Sequence, residues 1–306
     1  MKSRTIGSLS VSTIGLGCNN FGMRLDQTRT TEVVRNALDV GITFFDTAES
    51  YGPSEEYLGK ALGTRRKDAV IATKFGNRGT GAAAVNIRRA VEDSLRRLKT
   101  DYIDLYQQHR PDPTTPVAET LEALEALKKS GKVREVGCSN FTVEMLVGAE
   151  AQGRRGAVRF ASIQNEYSLL HRVPETDGVL AECERQGMGF LPYFPLANGM
   201  LTGKYRKGQP KPPGTRITEL DYFKDSYNEE RLEQVERLIK FAEERGHTIL
   251  ELAFAWLLAK PVVSSVIAGA TSPAQVEANA KAGGWVLSPD EVAVVDAIAP
   301  RSDLTP

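Results

Sequence analysis

The stretch "GLGCNN", residues 15–20, decides between two folds. It closes an apolar run and sets two glycines where a dinucleotide fingerprint, GxGxxG, would open a doubly wound sheet. The third glycine position holds Asn20, so the fingerprint is missing. What surrounds this stretch therefore settles the reading. Short apolar segments recur along the chain: "STIGLGC", "ITFFD", "AVIATK", "IDLYQQH", "VREVGCS", "FASIQNE", "MGFLPYFPL" and "SSVIAGA". They are continuous rather than alternating, as expected of strands buried on both faces of a parallel sheet. Helical patterns separate them. In "TPVAETLEALEALKKSGK", Thr115 is placed to cap, Pro116 suits the first turn, and Val117, Leu121, Leu124 and Leu127 make one stripe before Gly131. Further helices are expected over 30–40, 142–149, 175–186 and 229–244, and in "VNIRRAVEDSLRRLK", "TILELAFAWLLAK" and "SPAQVEANAKA".

Strands and helices in this alternation predict an α/β fold, a (β/α)8 TIM barrel formed as a single domain over residues 1–306. "MKSRTIGSLSV" predicts an N-terminal β-hairpin across the barrel floor. A long connection over 197–228, rich in glycine and proline, follows the seventh barrel strand, and a connection of that length is usually either functional or disordered.

Composition narrows the function classes. Lysine and arginine number 39, as do aspartate and glutamate, which argues against nucleic acid or an anionic membrane as a broad electrostatic partner. Cys18, Cys138 and Cys183 are far apart and odd in number, so no disulfide framework or metal site is expected. No apolar run approaches a membrane span, and a cytoplasmic location is the expectation.

The carboxyl ends of three successive strands carry ionisable residues. Asp46 ends the second with Tyr51 in the loop beyond, Lys74 ends the third, and His109 the fourth. Barrel enzymes keep their active sites on that face, and neighbouring strands lie about 4.8 Å apart, so these groups can converge on one carbonyl. A free tyrosine titrates near about 10, and a lysine ammonium beside it is expected to lower that value. Asp46 would pair with Lys74, and His109 would align a substrate oxygen. Together they form a proton donor to a carbonyl that receives a hydride.

With those residues in place, the chain resembles the aldo-keto reductase superfamily over nearly its whole length. The likeness runs through "GITFFDTAESYGPSEEYLGKAL", "ATKFG", "DYIDLYQQHRPDP", "GKVREVGCSNF", "QNEYSLL", "YFPLANGMLTGKY" and "VIAGATSPAQVEAN". It is similar above all to bacterial reductases related to potassium-channel β subunits. The resemblance implies that Asp46, Tyr51, Lys74 and His109 are the catalytic tetrad, with a nicotinamide cofactor giving hydride to an aldehyde or ketone. It further implies that Ser139, Asn140 and Gln164 bind the carboxamide and that the nicotinamide stacks on Tyr193. Leu196, Ala197, Asn198, Lys204 and Arg216 would lie around the pyrophosphate, and Gly269, Thr271, Gln275 and Asn279 at the adenosine.

The chain departs from the family at Ala278, where relatives often have glutamate, at Gly269, where other branches have lysine, and at Gln275, which replaces an arginine. The expected preference for NADPH (NADP+) over NADH then rests on Lys204 and Arg216, and NADH is not excluded. The expected partner is a small carbonyl substrate, and Phe21, Phe75, Tyr222 and Phe223 are equally candidates for the wall of its mouth and for core packing. The sequence leaves the oligomeric state unknown. Two rival functions are a cofactor-occupied regulatory subunit and an aldolase using Lys74 as a Schiff base. The expected ion pair with Asp46 weighs against the latter, because it would hold Lys74 protonated.

Overall fold

The computed structural model describes residues 1–77, 79–153, 156, 158–219 and 227–301; the side chain of Arg216 lies outside the described part, as do Tyr222 and Phe223. Strands Ser3–Ile6 (β1) and Leu9–Ser12 (β2) pair antiparallel around Gly7, whose φ of 54° the tight turn requires. Ile14–Gly17 (β3), Phe44–Asp46 (β4), Val70–Phe75 (β5), Ile103–Gln108 (β6), Val133–Ser139 (β7), Ser162–Glu166 (β8), Gly189–Tyr193 (β9) and Val266–Gly269 (β10) form an eight-stranded parallel sheet in the order β10-β3-β4-β5-β6-β7-β8-β9. Between β9 and β10 the ring is completed next to Val263, where the amide of Phe190 donates to the Val262 carbonyl at 2.8 Å and that of Ser264 to the Phe190 carbonyl at 2.9 Å. All eight expected strands are present, in barrel order.

Side chains alternate across these strands, and the alternation explains where the site lies. Phe44, Ala72, Leu105, Leu191 and Ile267 point inward and cluster with Ile6, Leu9 and Val11 of the hairpin. Their chain neighbours Phe45, Ile71, Tyr106, Phe190 and Val266 belong to the larger core beneath the helices. The hairpin is thus a plug in the barrel floor, as its sequence suggested. Arg4 ties it down by donating to the carbonyls of Leu258, Lys260 and Val263.

Two helices that the apolar pattern leaves unmarked are Ser54–Leu62 and Pro289–Ile298. The helix expected over 175–186 is two pieces, Val173–Thr176 and Val179–Gln186, because the backbone breaks at Gly178 with φ 84°. Before Val117–Lys129 the capping position belongs to Pro116. Thr115 instead turns its hydroxyl to Asp112 at 2.7 Å, so it does not cap the helix. The long connection holds a distorted turn, Ala197–Thr202, and a short helix, Arg216–Glu219.

Candidate active site

One step of two residues above the apolar plug, the same inward positions become polar. Phe44 is followed by Asp46, Ala72 by Lys74, Leu105 by Gln107, and Leu191 by Tyr193. Strand register aligns these groups into a layer: Asp46 sits opposite Ala72, Lys74 opposite Gln107, Ser139 opposite Gln164, and Glu166 opposite Tyr193. A cavity of about 840 Å³ opens above them, near the upper end of the roughly 300–1,000 Å³ usual for ligand sites.

At its base, Lys74 is fully buried and donates to Asp46 Oδ2 at 2.7 Å and to the Thr47 carbonyl at 2.9 Å. Burial opposes its charge, but Asp46 beside it raises its pKa above the ordinary lysine value, so the ammonium stays charged. The other Asp46 oxygen, Oδ1, accepts from Gln164 at 2.9 Å and Gln107 at 3.4 Å. Every side of that carboxylate is accounted for, which keeps a buried charge tolerable.

Tyr51 is held over this pair by its loop. The Ser54 hydroxyl donates to the Cys18 carbonyl at 2.8 Å and lies 2.8 Å from the Thr47 hydroxyl. Below it, Glu55 is buried between Thr73 and Arg97, fixing the helix that carries the loop. The Tyr51 ring lies 5.2 Å from the Lys74 ammonium and edge-on to His109, with centroids 5.8 Å apart. Lys74 does pull the phenol pKa down, but burial is the larger effect and the net direction is upward. The expectation of a phenol already acidified is therefore corrected. Burial thus favours the protonated phenol, against the pull of Lys74.

His109 leaves β6 with its amide donating to the Phe75 carbonyl at 2.7 Å, and its Nδ1 lies 3.4 Å from the Ser50 hydroxyl. Burial, with help from the charges of Lys74 and Arg110, holds its pKa down to about 3. The imidazole is neutral at any physiological pH: it can orient a substrate oxygen by hydrogen bonding but is not an acid there.

Asp46, Tyr51, His109, Ser139, Asn140, Gln164, Tyr193, Leu196, Asn198, Lys204, Gly269, Thr271, Gln275 and Asn279 all line the cavity. Lys74 does not reach it and lies with its ammonium 5.2 Å from the Tyr51 ring. Ala197 also faces away, buried in the core with a φ of 45°. Several of the lining groups already have protein partners. The Gln164 amide nitrogen is committed to Asp46, and its backbone carbonyl accepts from the Ser139 hydroxyl at 2.7 Å. Tyr193 donates its hydroxyl to Asn140 Oδ1 at 2.9 Å, which fixes its ring as a wall. Gln275 folds back to accept from the Thr271 amide at 2.8 Å. Of the two readings open for Phe21 and Phe75, the structure bears out packing: they are core residues with 0% and 1% exposure.

Features of the cavity fit a long polar ligand. Among the described residues Asn198 Oδ1 is buried with no hydrogen-bond partner, and Phe194, Ala197 and Asn198 hold left-handed backbone, a strained conformation that clusters at ligand sites. The helix Pro273–Ala282 begins at the cavity with Ser272 as its cap. A side chain at Gly269 would place its Cβ 3.1 Å from Asn20 Nδ2, so Asn20 takes up room beside the position where other branches carry lysine. Asn19, Asn20, Arg24, Asn77, Arg110 and Glu166 also line the cavity and were not singled out from sequence. All but Arg24 lie at or just beyond a strand end, and that was the available signal.

A family model described as the Aldo/keto reductase family matches residues 13–300. An uncharacterized oxidoreductase, YrpG, of Bacillus subtilis (strain 168) is 37% identical over 294 residues, covering 90% of this chain and 88% of that protein. A probable voltage-gated potassium channel subunit beta of Arabidopsis thaliana is 35% identical, covering 92% of this chain and 91% of its own. Among solved structures, a glycerol dehydrogenase from Gluconobacter oxydans superposes with a TM-score of 0.85 at 31% identity, covering 99% of this chain and 97% of that one.

Proposed function

The chain belongs to the aldo/keto reductase family and is an oxidoreductase acting on carbonyl groups; from that premise we propose that it reduces a small aldehyde or ketone to the alcohol with NADPH. The observation that carries this reading is the buried Lys74–Asp46 pair beneath Tyr51, in a cavity that Tyr51 shares with His109. A nicotinamide dinucleotide would be held by Ser139, Asn140, Gln164, Tyr193 and the Leu196–Asn198 turn at one end. Lys204, Arg216, Gly269, Thr271, Gln275 and Asn279 would hold the other. When bound, this dinucleotide would supply the hydride.

The chain supplies the rest. His109, neutral, hydrogen-bonds the carbonyl oxygen and turns it toward Tyr51. As negative charge grows on that oxygen it becomes a base strong enough to take the Tyr51 proton. Lys74, kept charged by Asp46, stabilises the phenolate that remains, and the favourable charge is already in place before the reaction begins. The oxidative direction runs the same proton path backward, with phenolate as the base.

Tyr51→Phe tests the assignment. Reduction should fall by about 10²–10⁴-fold while cofactor affinity changes little. Retention of full rate would remove Tyr51 from the proton path. The likeness to a potassium channel subunit supports a second reading, a cofactor-occupied binding subunit with little turnover. Tight NADPH binding without oxidation by any of a panel of aldehydes and ketones would favour it.

A further inference from the structure

The cavity carries a cation that the proton chemistry does not use. Arg110 follows His109 directly beyond β6 and lines the cavity together with Tyr51, His109 and Asn77. Among the described residues its guanidinium meets no carboxylate and makes no hydrogen bond; only its backbone carbonyl is engaged, by Gln108 at 3.0 Å.

Arginines that serve the fold look different here. Arg66 grips Asp104, Arg97 grips Glu55, and Arg172 grips Glu175, each a buried carboxylate. Arg24, also at the cavity, is spent on Glu219 at 2.6 Å. Arg110 has no such duty. Its charge is nevertheless close enough to His109 to help hold that imidazole neutral. Asn77, just beyond β5, faces the same space with its amide making no hydrogen bond among the described residues. Phe21 and Phe75 are withdrawn into the core, which leaves polar side chains beside Tyr51 and His109. A guanidinium is shaped for two parallel hydrogen bonds to a carboxylate or phosphate, and an amide beside it adds a donor.

We propose that Arg110, assisted by Asn77, holds an anionic substituent of the substrate, a carboxylate or a phosphate, while the carbonyl sits at Tyr51 and His109. This rests on the carbonyl-reducing reading above. It makes Arg110 a specificity residue, selecting charged aldehydes or ketones over neutral ones of the same length.

Matched pairs of substrates test it with NADPH-loaded enzyme: succinic semialdehyde against butyraldehyde for the carboxylate, and glyceraldehyde 3-phosphate against glyceraldehyde for the phosphate. The native protein should favour at least one anionic member by about 10–100-fold in kcat/KM, the scale of one charge-assisted contact. Arg110→Met should erase that ratio, chiefly through KM, with the neutral members changing by less than about threefold, and Arg110→Lys should restore part of it. Whichever pair responds identifies the anion. A native enzyme without preference, or a variant that slows charged and neutral substrates alike, overturns the proposal while leaving carbonyl reduction standing. If no carbonyl is turned over, the reduction reading fails on its own. Calorimetric binding of succinate and glycerol 3-phosphate to native and Arg110→Met protein then still decides the role of Arg110: equal affinities refute it, and weaker binding to the variant supports it.

Discussion

Replacing His109 with glutamine should make the protein less sensitive to acid. In the folded chain His109 resists protonation down to about 3, whereas its ordinary value is 6.5. Between those limits the unfolded chain binds a proton that the folded one does not, so stability falls as pH falls. The contribution is fully present above 6.5 and is lost progressively toward 3. At pH 5 the loss is about 1.4 kcal/mol per pH unit over about 1.5 units, on the order of 2 kcal/mol. For a chain of this length that corresponds to a melting shift of about 3 °C. Glutamine keeps a polar group near Ser50 but cannot take the proton. Guanidinium unfolding of both proteins at pH 7.5 and pH 5 isolates the effect, because His171 and His247 are common to both. The native protein should lose about 2 kcal/mol more than the variant across that interval. Equal losses would show that His109 titrates near its ordinary value, and the neutral-imidazole role would fall with it.

Lys74→Met leaves Asp46 buried without its cation and should cost about 3–5 kcal/mol in guanidinium unfolding at neutral pH. Adding Asp46→Asn should recover part of that loss, and a cost below about 1 kcal/mol for the single variant would contradict the buried-pair reading. Gly59→Ala tests a close approach rather than a charge. Its Cβ would meet the Leu98 carbonyl oxygen at 2.4 Å, so the helix Ser54–Leu62 must shift and stability should drop by about 1–3 kcal/mol. A melting temperature equal to the native one would show that this helix moves freely.

Much of the barrel was legible because its strands are buried on both faces and read as unbroken apolar runs. Asp46, Lys74 and His109 could be aligned for the same reason: each ends such a run. Ser54–Leu62 escaped notice because its buried face includes Ser54, Glu55 and Gly59 rather than a stripe of large apolar residues. Phe21 and Phe75 stood open between the mouth and the packed interior, because composition cannot tell an aromatic that lines a cavity from one that fills a core; the structure packs them. The direction of the Tyr51 shift was hidden too. Sequence places an ammonium beside the phenol, but the degree of burial, which outweighs it, is a property of the assembled barrel.

The floor plug joins the beginning of the chain to its far end. Arg4 finds its acceptors only at Leu258, Lys260 and Val263, and Ile14 finds its strand partner only at Val266. During synthesis the sheet can lengthen strand by strand from β3 to β9, yet both of its edges stay open until residues 262–269 have left the ribosome. Contacts this distant slow folding and prolong the exposure of unpaired strand edges. A ribosome stalled before residue 266 would hold an unsealed cylinder.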